Sequence, residues 1–139
     1  MIDIELCAWE KARIAASRIR FAVFVEEQRV PPEIEMDEFD AVCLHALART
    51  GEGEVIGTGR LLPDGHVGRM AVAAAWRGKG VGGKLLEALV EAARKRGDAV
   101  VILSAQTHAI SFYRRYGFVE KGAVYEEAGI PHQTMRRVF

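Results

Sequence analysis

The chain has 139 residues, half of them hydrophobic and 27% charged, and its 19 basic residues balance 19 acidic ones. Such a length is expected to form one domain over residues 1–139 with a core of its own. Zero formal charge excludes a global field that would draw nucleic acid or an anionic membrane, so any anion site must be local. Cys7 and Cys43 stand alone, without C-x-x-C spacing or clustered histidines, and read as reduced, buried thiols; neither a disulfide nor a metal is expected. No apolar run reaches membrane-spanning length, and the first residues lack a signal-peptide pattern. A cytoplasmic location follows as the expectation.

Ile2, Ile4 and Leu6 alternate with Asp3 and Glu5, the pattern of a half-buried strand. From Glu10 to about Gln28 the apolar spacing is helical, with a density after Ile19 that implies burial on more than one face; Pro31-Pro32 must stop it. Glu33 to Asp40 is acidic, with Ile34, Met36 and Phe39 embedded. It reads first as a solvated connection pinned by those three residues, and otherwise as a wall for a cationic substrate or a subunit contact. Val42–Arg49 and Glu54–Leu62 predict two antiparallel strands, and Pro63-Asp64-Gly65 turns into a third, His66–Val72.

Arg77-Gly78-Lys79-Gly80-Val81-Gly82-Gly83-Lys84 then opens a helix whose apolar face is Leu85, Leu86, Leu89, Val90 and Ala93. Glu91 and Lys95 are spaced to pair, and Gly97 caps the end. Ala99–Leu103 predicts a buried strand. Thr107 or Ser104 is placed to cap a short helix to about Arg115, Gly117 ends it, and Phe118–Lys121 with Gln133–Val138 predict a last strand pair. The order β-α-β-β-β-α-β-α-β-β predicts an α/β (α+β) mixed sheet, mostly antiparallel, with helices on both faces and one parallel crossover holding the glycine loop.

That loop matches G-x-G-x-x-G and most of a P-loop. Leu85 stands where a P-loop needs the Ser or Thr that ligates magnesium, and Asp98 lies at the wrong end of the next strand for a Rossmann ribose contact. What is left is a phosphate cradle made of free N–H groups at a helix start, or a tight strand-to-helix connection with no ligand.

Two segments carry a resemblance. Val67-Gly68-Arg69-Met70-Ala71-Val72, followed after four residues by Arg77-Gly78-Lys79-Gly80-Val81-Gly82, resembles the GCN5-related N-acetyltransferase (GNAT) signature, an apolar strand and then R/Q-x-x-G-x-G/A. Ala109-Ile110-Ser111-Phe112-Tyr113-Arg114-Arg115-Tyr116-Gly117-Phe118 is similar to the family's A-x-x-F-Y-x-x-x-G-F motif. The resemblance implies the family's fold and an N-acetyltransferase using acetyl-CoA as co-substrate. It implies that Arg77, Gly78, Lys79, Gly80, Val81, Gly82 and Gly83 hold the diphosphate, that main-chain groups of Met70, Ala71 and Val72 bind the pantetheine arm, and that Tyr113 is the general acid. An amide of Met70 or Val72 would polarise the thioester carbonyl. Gln106 stands where many relatives have Asn, and the strand Val67–Val72 lacks the Glu that many use as base.

The base is therefore sought elsewhere. Glu26 and Glu27 end the first helix beside apolar residues, surroundings that raise a carboxyl pKa. His132 is expected in the loop between the last two strands; His45 and His66 sit in or beside strands. The segments Arg20–Gln28 and Gly129–Met135 resemble a subgroup of small bacterial acetyltransferases. If they meet over the thioester, Arg20, Glu26, Glu27, Gln28, Asp37 and His132 make a mixed-charge pocket for a small-molecule or peptide amine. Two other readings stand beside this one: a non-catalytic acetyl-CoA sensor, and transfer to a homoserine-type acceptor, since Arg20–Phe24 resembles a segment of signal-molecule synthases. Basic residues such as Arg94, Lys95, Arg96, Arg114 and Arg115 read as helix-end charges and not as a nucleic-acid face. A homodimer through an exposed sheet edge is left open.

Overall fold

A computed structural model describes residues 1–139. Its strands are β1 (Asp3–Cys7), β2 (Leu44–Arg49), β3 (Val55–Leu61), β4 (His66–Val72), β5 (Val100–Gln106), β6 (Val119–Glu127) and β7 (Ile130–Val138). The α-helices are α1 (Trp9–Arg20), α2 (Pro32–Glu35), α3 (Val81–Lys95) and α4 (Ile110–Arg115). One seven-stranded sheet results, in the order β1-β2-β3-β4-β5-β7-β6, with every pairing antiparallel except β4 to β5. This is the mixed sheet that the element order predicted.

Alternation along β2 separates two cores. Ala46 and Ala48 join the α3 side with Leu85, Leu86 and Leu89, while Leu47 points to the α1 side with Ala12, Ala16 and Ile19. Covered on both faces, β3 is buried from end to end. Small residues let α3 settle on it: a Cβ at Gly57 or Gly59 would stand 3.0 Å from Leu85 Cδ1 or Leu89 Cδ1.

What positions the site is a split in the sheet. β4 and β5 pair at His66 with Ile102 and at Val67 with Leu103, and then diverge. Past that point β4 stays bonded to β3 as far as Val72, and β5 to β7 as far as Gln106. Each strand therefore turns an unpaired edge, Gly68–Val72 on one side and Ser104–Gln106 on the other, toward the gap between them. The register of β3 and β4 shifts between Thr58 and Arg60, and opposite that shift Arg69 takes a φ of +49°.

Several local expectations change. The first helix is α-wound only to Arg20, and Phe21–Glu27 continues as a wider π-wound turn in which the Gln28 amide donates to the Val23 carbonyl at 3.1 Å. Glu33–Asp40 reverses the expected burial. Glu35 and Asp40 are inside, whereas Ile34, Met36 and Phe39 are half-exposed. Glu91 bonds Arg94 and not Lys95. Neither Ser104 nor Thr107 caps α4; Ala109 stands at its N-cap without a side-chain bond. His132 lies in β7 and not in a loop, because the hairpin turns tightly at Ala128 and Gly129, both with positive φ.

Candidate active site

The gap between β4 and β5 opens into a cleft of about 720 Å³. A second, of about 650 Å³, lies at the glycine loop. The two share Val72, Arg77, Gly82 and Phe112, so they form one path from the start of α3 into the split sheet.

At the loop end, Gly78 and Gly80 have φ of +75° and +83°, which lets the chain double back before α3 begins. The Lys84 amide donates to the Gly80 carbonyl at 3.2 Å, so the amides of Val81, Gly82 and Gly83 precede the first α-helical bond and are free to meet an anion. Gly83 has a packing reason as well, for a Cβ there would overlap the Tyr116 hydroxyl. Arg115, read from sequence as a helix-end charge, joins this wall. Lys79 is exposed and lines neither cleft.

In the middle, Met70, Ala71 and Val72 form one wall, and Phe112 with Tyr113 the other. The two rings meet edge to face, 5.1 Å apart. Burial pushes the Tyr113 phenol up to about 12, with no charge acting on it. Gln28 and Gln106 exchange side-chain amide bonds at 2.9 and 3.4 Å, bridging the end of the π-wound turn to β5; His108 Nε2 sits 2.7 Å from Gln106 Oε1. Arg77 donates to both oxygens of Glu27 at 2.8 and 2.7 Å and, through Nε, to the Val72 carbonyl at 3.0 Å.

That fork corrects the reading of Glu27 as a base of raised pKa. The Arg77 guanidinium holds its carboxyl below the usual range, and Glu27 stays ionised. Glu26 is exposed and away from the cleft.

Beside Gln106 across the β5–β7 pair, His132 Nδ1 is 2.7 Å from the Ile130 carbonyl. A carbonyl only accepts, so Nδ1 carries the hydrogen in the neutral ring and Nε2 is the basic nitrogen. Nε2 looks toward Glu127 Oε2 at 3.7 Å, and Tyr125 stacks on the ring at 6.1 Å. Ser104 Oγ bonds the Tyr125 hydroxyl and donates to Glu127 Oε2 at 3.3 Å.

The same cleft is lined by four members of a buried ionic cluster, Glu35, Asp37, Arg60 and Arg69. Arg20, 1% exposed, donates from Nε to Glu35 at 2.5 Å and from Nη1 to Asp40 at 2.8 Å. Arg60 forks onto Asp37 at 2.7 Å through both Nη atoms and reaches Asp40 at 2.9 Å. Arg69 shares Asp37 at 3.1 Å. Burial alone would push Asp37 and Asp40 up, but their guanidinium partners more than offset it and hold both below the usual carboxylate range. Arg20 thus stands behind the cleft as an internal counter-charge, which corrects its placement in the acceptor pocket. Asp37, Gln28 and His132 do line the cleft.

Sequence reasoning missed Arg60 and Arg69 here, and reached Glu35 only through the second reading of the acidic segment as a wall of the site. The only signal was Arg at the otherwise apolar positions 60 and 69 of two strands. Backbone strain also gathers around the cleft: of the three non-glycine residues with positive φ, Arg69 and Ala128 line it and Arg29 lies between Gln28 and Val30, which do.

A sheet split beside a helix that starts in a glycine turn, with an aromatic hydroxyl in the gap, fits the acetyltransferase resemblance carried by the two sequence segments. Comparison with known proteins agrees. The model of the acetyltransferase (GNAT) domain matches residues 13–139. An uncharacterized N-acetyltransferase of Bacillus subtilis, YjcF, is 39% identical over 123 residues, 86% of this chain and 87% of that protein. Protein ElaA of Escherichia coli is 35% identical over 131 residues, 88% and 85% of the two chains. The crystal structure of an acyl-CoA N-acyltransferase from Pseudomonas aeruginosa superposes with a TM-score of 0.88 at 36% identity, covering 99% of this chain and 100% of that one. The chain belongs to the GNAT acetyltransferase family.

Proposed function

We propose that the protein moves an acetyl group from acetyl-CoA to a primary amine by direct attack within a ternary complex. The observation that carries this reading is the continuous path from the α3 amides, past the unpaired edge of β4, to Tyr113. The amides at Val81, Gly82 and Gly83, with Arg115 beside them, suit the diphosphate; the edge of β4 at Met70–Val72 suits the amide-bearing pantetheine arm, as an added strand would. Arg77 must release the Val72 carbonyl to let that arm bind.

In the step itself the neutral amine forms a bond to the carbonyl carbon, and collapse of the tetrahedral oxyanion breaks the C–S bond. The nitrogen gives its extra proton to His132 Nε2, where Glu127 faces the imidazolium that forms. The departing thiolate takes the phenolic proton of Tyr113. Because burial keeps that phenol protonated until about pH 12, the donating form is present at any working pH.

Acetyl-CoA binding by calorimetry, followed by thiol release over an amine panel, tests the reading. Tyr113→Phe is expected to lower kcat by about 10²-fold or more with donor affinity retained. Unchanged turnover would remove Tyr113 from the mechanism. Tight donor binding without transfer to any amine would instead favour the acetyl-CoA sensor.

A further inference from the structure

Along and behind one wall of the cleft, three guanidiniums, Arg20, Arg60 and Arg69, stand against three carboxylates, Glu35, Asp37 and Asp40; of these, Arg60, Arg69, Glu35 and Asp37 line the cleft itself. The charges cancel, but the hydrogen bonds are shared unevenly. Arg20 spends Nε and both Nη atoms on Glu35 and Asp40, and Arg60 spends both Nη atoms on Asp37 and Asp40. Arg69 has the weakest hold: one bond to Asp37 at 3.1 Å, already forked by Arg60, and two long bonds to the carbonyls of Glu35 and Ile34 at 3.3 and 3.4 Å. Its Nη1 has no acceptor in the chain, and its side chain is 29% exposed, the most open of the three. Deeper in, Arg60 Nε is sealed from solvent with no partner at all. Two donors, Arg60 Nε and Arg69 Nη1, are left without partners, and the one that a ligand in the cleft can reach is at Arg69.

Backbone geometry aims that donor. Arg69 occupies a positive-φ position in the bulge of β4, a conformation that disfavours any side chain, although Gly68 is its neighbour. It is adjacent in sequence to Met70, where the unpaired strand edge receives the thioester arm in the proposed reaction. Burial and the positive charge of Arg60 and Arg20 weigh on its protonated form, so a further anion relieves it. The chemistry of that anion is bounded. A planar guanidinium edge matches a carboxylate, and the nearby Asp37 and Glu35 make a doubly charged phosphate unwelcome.

Building on the acetyl-transfer reading above, we propose that the acceptor is an amine that also carries a carboxylate, and that Arg69 holds the carboxylate while the amine faces His132. The half-exposed Ile34 and Phe39 and the wall residues Phe24, Val30 and Leu62 give such a molecule an apolar lining for its body.

Matched pairs test this without identifying the natural acceptor. Aliphatic and aromatic amino acids are compared with their own carboxamides, by CoA thiol release with acetyl-CoA and, separately, by saturation-transfer NMR binding with CoA present. The carboxylate member is expected to be favoured by about ten- to hundredfold in kcat/KM and to give the stronger binding signal. Arg69→Met should abolish the preference through acceptor KM while acetyl-CoA affinity holds; Arg69→Lys should restore part of it, and thermal melts of both variants check folding. Carboxamides equal to carboxylates in the wild type, or a preference that survives in a folded Arg69→Met, would overturn the proposal. Carboxylate binding that depends on Arg69 without transfer would uphold this inference and sink acetyl transfer instead.

Discussion

Arg77 carries a residue-scale consequence, because it grips both the strand edge that the proposed donor would occupy and a carboxylate outside the cleft. Its Nε bond to the Val72 carbonyl occupies the strand edge assigned to pantetheine, and its fork onto Glu27 ties the π-wound turn to the mouth of the cleft. Glu27→Gln leaves Arg77 freer to let go, and is expected to change the association rate of acetyl-CoA by several-fold in stopped-flow mixing, with kcat little altered. A large fall in kcat instead would return Glu27 to the chemistry. For Tyr113 the sign of the pH dependence is fixed by a raised pKa: the phenol keeps its proton below about 12, so it contributes no falling alkaline limb up to pH 10. A limb centred below pH 10 that vanishes in Tyr113→Phe would contradict this. For His132, held with Nε2 open, His132→Gln is expected to slow turnover about 10²-fold near neutrality, with recovery at higher pH as more of the amine is free.

Among the elements, the segment from α2 to the start of β2 shows why part of the site was hidden. The strands, the glycine turn and α3 were legible because each announces itself within a few residues, by alternation, by 3.6-residue spacing or by glycine. Glu35, Asp37 and Asp40 do not, since their guanidinium partners lie 15 to 34 positions away and no local pattern links Asp40 to Arg20 and Arg60. A run of acids therefore reads as solvated, and its apolar neighbours as anchors. The loop expected around His132 failed in a similar way: the strand already begins at Ile130, with Pro131 at its second residue. The cluster makes its own prediction. Asp40→Asn strips one partner from two buried guanidiniums and is expected to cost about 3 kcal/mol or more, read as a lower urea midpoint. Because the folded carboxyls of Asp37 and Asp40 lie below their usual value, their stabilisation is complete above about pH 4 and is lost as the pH falls through the folded values. Acid unfolding of Asp40→Asn should accordingly be shallower than that of the wild type.

For the molecule as a whole, the two-residue pairing of β4 with β5 divides the sheet into unequal blades. β1 to β4 carry most of the packing of α3, whereas β5 to β7 carry α4 and the His132 hairpin, with one core cluster joining the two. A donor seated as proposed touches both blades, its diphosphate on α3 and its sulfur beside Tyr113 of α4. It then acts as a rivet. At a hundredfold excess over Kd such a ligand adds about 2.7 kcal/mol to stability by mass action. The distinctive expectation is where that stability shows: amides at the seam, Val67, Ile102 and Leu103, should exchange hydrogen more slowly when acetyl-CoA is bound. Protection confined to the glycine turn would mean that the blades move independently of the cofactor. If the seam does tighten, a chain with a narrow join at its middle reaches full rigidity only while loaded, and its lifetime against proteolysis would rise with the acetyl-CoA supply.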